Sequence, residues 1–214
     1  MKDVKFISRK EEELVAFYNR AKAFVISKGY QEEIDIVNNR TFESQDEFDF
    51  LSEYIYVVLN AGMKNQVAEK IFARYCKIGA EAVKHKGKRK AIEEVEQHYK
   101  SWFFGLSHKA SIEDKLDFLE TKPWIGPITK FHLARNLGID VAKPDRHLTR
   151  LAKDLNFRDV MSMCKVIADC TGERIGVIDV VLWRNANLTG RGIPRINEFW
   201  GIPLENIITL DSER

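Results

Sequence analysis

The sequence has few of the features that cross-link a small fold or hold a chain in a membrane. Its three cysteines, Cys76, Cys164 and Cys170, cannot all pair with one another, and their spacing fits neither a zinc site nor an iron-sulfur array. The longest stretch without a charged residue, residues 54–63, is too short to cross a bilayer, and the N-terminus lacks the apolar core of a signal peptide. We therefore expect an intracellular protein of the cytoplasm, nucleoid or nucleus, with no membrane partner, no metal and no iron-sulfur cluster.

An excess of one charge is also missing. The 34 Lys and Arg are balanced by 32 Asp and Glu, so the net charge is only +2 and the chain as a whole is no polycation. A nucleic-acid surface would therefore have to be a local patch. The hydrophobic fraction of 44% and the charged fraction of 31% are ordinary for a soluble globular protein. A chain of 214 residues can bury one substantial core or two modest lobes.

Helical periodicity is what the sequence does contain. Apolar residues recur at helical spacing along most of the chain, and even the apolar run 177–182 is interrupted by Asp179 and lacks a hairpin signal. Glycines and prolines divide the chain into nine or ten short helices. The predicted breaks lie near Gly29, Gly62, Gly87, Gly105, Pro123, Gly138, Pro144, Gly172 and Gly190. The last stretch, 190–214, is predicted to be irregular and packed by Phe199, Trp200 and Ile202.

The segment 122–147, KPWIGPITKFHLARNLGIDVAKPDRH, predicts a tight hairpin between two helices. The first helix covers residues 112–120, and Pro127 suits the first turn of the second, where its missing N–H would have no intrahelical partner. Such a bend directs the N–H groups of Gly126 and the following turn outward at a positive helix end, where a phosphate can bind. Simple packing of two helices is the alternative for the hairpin taken alone.

Asp145 follows the hairpin after one helix and opens another, HLTRLAKDL, directly after Pro144. Here the residues resemble the helix-hairpin-helix superfamily of DNA glycosylases, the endonuclease-III-like and archaeal 8-oxoguanine-glycosylase-like proteins. In that family a hairpin L-P-G-hydrophobic-G precedes an aspartate in a V-D-T-H or L-D-R-H context, and PWIG and PDRH are similar to these elements. VVLNAGMKNQVAEKIFARYCK, from Val57, resembles an early helix pair, and GVIDVVLWRNAN, from Gly176, resembles a late core helix, so the resemblance covers about residues 55–190.

The resemblance implies an all-α, two-lobed glycosylase fold with a cleft between the lobes. Residues 55–155 would form the helical-barrel lobe that contains the hairpin. Residues 1–54 would pack with the C-terminal lobe, which residues 156–214 would complete with helices and an irregular tail. The resemblance further implies a monomer that binds double-stranded DNA containing a damaged base, and it allows a monovalent cation at the hairpin but no other cofactor.

The resemblance also assigns chemistry to single residues. Cleaving an N-glycosidic bond develops positive charge on the sugar, so the enzyme needs a carboxylate near C1′ and a water. This role falls to Asp145, whose alternative explanation is a simple helix cap. The remaining residues that the resemblance implies for DNA binding are Trp124, Gly126, Ile128, Thr129, Lys130, Arg146, His147, Lys64 and Asn65.

A glycosylase must flip its target base out of the duplex and fill the gap. The resemblance places the gap-filling wedge at Met63, Lys64 or Asn65, for which an ordinary exposed turn is the alternative. Aromatic side chains could then stack on the flipped base. The candidates are Trp102, Phe103 and Phe104, for each of which core packing is the alternative.

Two positions depart from the family pattern. Ile128 lies where the family members that also cut the backbone have a Schiff-base lysine, and isoleucine has no amine, so we predict a monofunctional glycosylase. A lyase that uses a relocated lysine, Lys130 or Lys143, is the close alternative. Trp124 lies where the family has the first hairpin glycine, and we expect it to disfavour a positive φ and a close approach of DNA.

The remaining candidates are basic. The run KHKGKRK, residues 84–90, is the densest positive cluster, and Arg146, Arg150 and Lys153 follow Asp145. These could supply phosphate contacts, although a solvated loop explains residues 84–90 equally well. His147 is expected to face the core or a phosphate rather than a metal.

Two rival functions remain. One is a non-catalytic DNA-binding protein that keeps the hairpin, and the other is a helical protein-interaction domain. The lesion stays open between oxidised and alkylated purines.

Overall fold

The computed structural model describes residues 8–189, and every regular element in that range is helical. The all-α class predicted from the sequence is therefore confirmed. The α-helices are α1 Arg9–Ser27, α2 Gln31–Asn39, α3 Glu47–Asn60, α4 Asn65–Ile78, α5 Lys86–Ser107, α6 Ile112–Glu120, α7 Thr129–Asn136, α8 Arg146–Asp154, α9 Val160–Thr171 and α10 Ile175–Leu188. Short 3₁₀ turns occur at Phe42–Ser44 and Gly79–Ala82. The predicted tail packing by Phe199, Trp200 and Ile202 lies outside the described residues.

Polar caps explain where several helices begin. Ser8, Asp46, Ser111 and Asp159 each accept a hydrogen bond from a backbone N–H of the first turn, and a side chain three residues later returns the bond. These capping boxes satisfy N–H groups that have no partner inside the helix. At the other end, Gly172 takes a left-handed conformation with φ 75° and stops α9.

The helices enclose two hydrophobic cores. The middle core contains buried residues between 42 and 141, including Phe50, Tyr54 and Leu133. The terminal core combines residues 14–34 with residues 142–186, and α1 packs there against α9 and α10. The predicted lobe boundaries at 54 and 155 are therefore corrected, because α3 packs into the middle core and α8 into the terminal one. Periodicity predicts that a helix buries one face, but not the core into which it packs.

The predicted breaks near Gly87 and Gly105 are displaced by a few residues, because α5 begins at Lys86 and ends at Ser107. Gly87 and Gly105 both lie inside α5, although glycine costs a helix about 1 kcal/mol relative to alanine. Each glycine makes room for an aromatic ring, because a Cβ on Gly87 would lie 2.6 Å from the Trp124 indole and a Cβ on Gly105 would lie 3.0 Å from the Phe118 ring. Gly190, the last predicted break, lies outside the described residues. No helix within residues 8–189 is long and apolar enough to cross a membrane.

Arg174 ties the two lobes together at the start of α10. Its guanidinium donates to the carbonyl oxygens of Val37 (2.9 Å) and Arg40 (2.5 Å) at the end of α2, and to that of Gly138 (2.8 Å) after α7. The junction is tight, since a Cβ on Gly138 would lie 2.5 Å from the backbone of Thr41. The chain crosses from the middle core to the terminal core just beyond this point, between Val141 and Ala142.

Candidate active site

The hairpin joins α6 to α7 as predicted, but Trp124 departs from the expectation. Its φ is +65°, so it takes the backbone conformation that the glycine of the family would take. Tryptophan disfavours a positive φ, as expected, but Trp124 adopts it nevertheless. Packing explains the difference: the indole lies edge-on to the His85 ring at 5.1 Å between centroids and rests against Gly87. Trp124 nevertheless keeps 42% of its surface exposed.

The backbone of the bend is largely occupied by the protein itself. The Gly126 N–H donates to Thr129 Oγ1 at 2.7 Å, so the donor that was expected to hold a phosphate already has a partner. The Gly126 carbonyl accepts from the Lys130 N–H at 3.0 Å, so a helical hydrogen bond already spans Pro127 just before α7 begins at Thr129. The Pro123 carbonyl accepts from the Tyr54 hydroxyl at 2.5 Å. The monovalent cation that the resemblance allows at the hairpin stays a prediction.

The side chains of the hairpin differ in their availability. Ile128 is 49% exposed beside the bend. Lys130 is paired with Asp117 (3.6 Å) and Glu120 (2.5 Å) on α6, which neutralise its charge. It is therefore not a free amine in this structure.

Asp145 is the N-cap of α8. One oxygen, Oδ1, accepts hydrogen bonds from the N–H groups of His147 (2.8 Å) and Leu148 (2.9 Å). The side chain is half-buried, and the chain has crossed between the cores three residues earlier. The capping alternative is thus real, and it leaves the second oxygen, Oδ2, for another partner, so capping and catalysis are compatible.

A buried ionic cluster holds the segment just before Asp145. Asp179 on α10 is 1% exposed, forms an ion pair with Arg135 on α7, and accepts a hydrogen bond from the Lys143 N–H at 3.1 Å. Burial raises the pKa of Asp179, while Arg135 and Lys143 oppose this shift. The crossing segment is therefore fixed to both lobes immediately before Asp145.

Lys143 itself is a perturbed amine. Burial and, to a smaller extent, the charge of Arg135 lower its pKa, while Asp179 and Asp145 act in the opposite direction. The charge of Lys143 in turn helps to lower the pKa of His132, for which burial is the main cause. His132 lies one turn into α7, about 6 Å along the helix axis from Ile128. The charges of the crossing segment are therefore felt by a buried residue of the helix that follows the hairpin.

The polar side chains that follow Asp145 differ in their exposure. The exposed Arg146 donates from Nε to His147 Nε2 at 3.3 Å. His147 is half-buried, and its Nδ1 is buried without a hydrogen-bond partner in the described part of the chain. Arg150 and Lys153 are exposed on α8. The DNA contacts predicted for these residues stay predictions.

The wedge candidates lie in the turn between α3 and α4. Met63 packs against the middle core, whereas Lys64 is exposed. The Asn65 amide accepts from the Tyr56 hydroxyl and from Asn60 Nδ2, both at 2.6 Å, and so is committed to the turn itself. Lys64 is the most available of the three.

The three aromatic candidates do not act as one group. Trp102 packs against Tyr54 with ring centroids 5.7 Å apart, and Phe103 lies 5.9 Å from Phe42, both at the middle core. Phe104 is 65% exposed and contacts His108. All three lie in the last two turns of α5, which ends at Ser107, so the predicted loop begins a few residues later than expected.

The basic run 84–90 is mostly helical, because α5 begins at Lys86 and His85 is its N-cap. The loop alternative is thereby corrected. Lys88 is buried and donates to the carbonyl oxygens of Leu59 and Ala61, both at 2.7 Å, so it cannot contact a phosphate. Within residues 8–189, no group of three His, Cys, Asp or Glu side chains is arranged to hold a metal ion.

Comparison with known proteins bears on the fold. No protein-family model matches the sequence, and no curated protein matches it. Among solved structures, the 8-oxoguanine glycosylase/lyase of Methanocaldococcus jannaschii, in complex with a 15mer DNA containing 8-oxoguanine, matches with a TM-score of 0.62 and 16% sequence identity. The match covers 84% of this chain and 100% of that chain. This chain has the fold of that glycosylase.

The glycosylase fold confirms the structural part of the resemblance. At this identity it does not assign residues, so the site depends on the geometry of this chain. Sequence reasoning missed His132, Arg135 and Asp179 as parts of the site. Only Asp179 left a signal, because a carboxylate inside an apolar run is buried and therefore needs a partner.

Proposed function

We propose that the protein is a DNA glycosylase that flips a damaged base out of duplex DNA and hydrolyses its N-glycosidic bond, with Asp145 as the catalytic carboxylate. The observation that carries this proposal is the position of Asp145. It opens α8 at the crossing between the two cores, keeps one oxygen outside the cap, and interacts with Lys143 beside the helix that follows the hairpin. The glycosylase fold of the chain supports the proposal.

The chemistry follows from these groups. The base leaves with the electron pair of the C1′–N bond, and Asp145 stabilises the positive charge that develops on the sugar. Water adds its oxygen to C1′ and passes a proton to Asp145, which leaves an abasic site in the DNA. Ile128 supports hydrolysis without strand cleavage, since it offers no amine at the hairpin.

A second candidate function, a glycosylase/lyase, is favoured by Lys143. Its amine is close enough to Asp145 for the two charges to interact, forms no ion pair within residues 8–189, and has a pKa lowered by burial, which increases the neutral nucleophilic fraction. It would attack C1′ as the base leaves, form an imine after ring opening, and allow β-elimination of the 3′ phosphate. Lys130, paired with Asp117 and Glu120, is the weaker candidate.

The test compares Asp145→Asn with the intact protein on duplexes that each carry one oxidised or alkylated base. Asparagine caps a helix as well as aspartate does, so α8 should persist. We expect release of the base to fall by at least 10³-fold, on the order of the loss for other essential catalytic groups, while binding to damaged duplex is retained. Asp159→Asn is the matched control, because Asp159 caps α9 in the same way and should leave release unchanged.

Borohydride trapping in the same assay separates the two enzymatic alternatives. A covalent adduct that disappears in Lys143→Gln but persists in Lys130→Gln would assign the lyase to Lys143. Absence of any adduct, with strand breaks only after alkali, supports hydrolysis. Duplex binding without release of any lesion would instead favour the non-catalytic DNA-binding protein, and absence of salt-dependent duplex binding would favour the interaction domain.

A further inference from the structure

Three lysines at the start of α5 form an unneutralised basic surface, here called the basic turn. Lys84, Lys86 and Lys90 are all exposed, and none forms an ion pair with any carboxylate in residues 8–189. The other two cations of the same run have structural roles. Lys88 is buried against the end of α3, and Arg89 donates to the carbonyl oxygens of Val83 (2.8 Å) and Glu81 (3.1 Å).

The hairpin, in contrast, has little positive charge left to offer. Lys130 is neutralised by two carboxylates of α6. Lys122 lies with its Nζ 3.9 Å from the centroid of the Phe118 ring and 5.2 Å from that of Trp102. The N–H of Gly126 is bonded to Thr129. A strand that lies along this bend would therefore meet few free donors from the bend itself.

Trp124 places the basic turn next to the hairpin. Its indole contacts His85, the N-cap of α5, and Gly87 in the first helical turn. Both residues lie between the exposed lysines in sequence. Because Trp124 and Ile128 are themselves exposed, the bend and the basic turn form one surface that is apolar at its centre and positive on one side.

We propose that the basic turn binds the phosphate backbone of the DNA duplex, with the strand passing over Trp124, and so supplies the charge that the hairpin lacks. This inference rests on the proposed function, which supplies duplex DNA as the partner. Lysines on flexible stems suit a row of phosphates because they act as mobile point charges and need no fixed geometry. The sugar faces of the same strand can pack on the exposed indole, whereas an acidic protein would present carboxylates on a less regular surface.

The test measures binding of an undamaged duplex as a function of salt concentration. The variant is Lys84→Ala, Lys86→Ala and Lys90→Ala together, and the matched control is Lys77→Ala, Lys100→Ala and Lys165→Ala, which removes the same charge from exposed lysines on α4, on the far part of α5 and on α9. The slope of log affinity against log salt concentration is negative, and each lost phosphate contact should reduce its magnitude by about 0.9. We expect the magnitude of the slope of the basic-turn variant to fall by about 2 to 3, the control to keep its slope, and replacement of the three lysines by arginine to restore it.

The outcomes are distinguishable from those of the proposed function, because undamaged duplex requires no base release. Equal slopes for the variant and the control would overturn the proposal that the basic turn binds DNA, even if the protein releases damaged bases. A reduced slope in a protein that releases no base would support the surface and reject the glycosylase. An intact protein that binds no duplex would reject both.

Discussion

Trp124 and Gly87 depend on each other. A tryptophan at φ +65° is strained, and a glycine in a helix forgoes helix stability, so each position alone is unfavourable. Together they let an indole lie against the backbone of α5. The pair therefore fixes the hairpin to that helix, although Trp124 has a strained φ and Gly87 lowers the stability of the helix.

This dependence predicts a coupling between the two positions. Gly87→Ala should destabilise the intact protein, because its Cβ would lie 2.6 Å from the indole. In a Trp124→Gly background the same change should stabilise the protein by about 0.4 to 1 kcal/mol, since the ring is gone and alanine restricts the unfolded chain. Urea unfolding of the four proteins measures the coupling free energy. Equal effects of Gly87→Ala in both backgrounds would contradict the packing account.

At the residue scale, the sequence predicts local features better than distant ones. Asp145 as the start of a helix and Pro127 near the start of another depend only on neighbouring residues, and the structure has α8 and α7 there. The φ of Trp124 depends on Gly87 and His85 in a different helix. No pattern around residue 124 contains that information.

At the scale of elements, α7 carries the hairpin on one end and buried polar groups on the other. His132 is buried and lies 6.4 Å from the Tyr56 ring, while Arg135 pairs with Asp179. The helix was predicted from its apolar spacing, but its polar contacts were not, because their partners come from α3, α10 and the crossing segment. A short amphipathic pattern does not indicate which polar residues turn inward.

His132 predicts a specific dependence of stability on pH. Its pKa in the folded protein is held well below the ordinary value of 6.5 by burial, and further by Lys143 and Arg135, so the folded state stays neutral where the unfolded chain takes up a proton. The free energy of unfolding should therefore fall as pH drops through 6.5, by up to about 1.4 kcal/mol per pH unit, and this contribution is present in full only above 6.5.

The check compares urea unfolding of the intact protein and of His132→Gln between pH 7.5 and 5. The variant should lose this part of the pH dependence, whatever its stability at pH 7.5. Carboxylates such as the buried Asp179, whose pKa is shifted in the opposite sense, are common to both proteins and cancel in the difference. Parallel curves for the two proteins would mean that His132 is protonated alike in both states.

At the scale of the whole molecule, two cores are joined where the site lies. Arg135 belongs to α7 on the middle core, and Asp179 belongs to α10 on the terminal core, so their ion pair bridges the lobes. The same carboxylate holds the Lys143 N–H just before Asp145. The helical class and the order of the helices could be predicted from periodicity, but this bridge could not, because it joins residues that are distant in sequence.

The ion pair predicts that replacing one member costs more unfolding free energy than replacing both. Arg135→Met leaves a carboxylate buried without its cation and should cost about 3–5 kcal/mol of unfolding free energy. The double variant Arg135→Met, Asp179→Leu should recover part of that loss, because neither member of the ion pair is then left buried without its partner. The double variant also removes the acceptor of the Lys143 N–H, so base release should stay impaired even where stability returns.

Urea unfolding and single-turnover release on the same samples measure the two effects separately. If release recovers in step with stability, the pair only supports the fold; if it does not, Asp179 positions the crossing segment that carries Asp145.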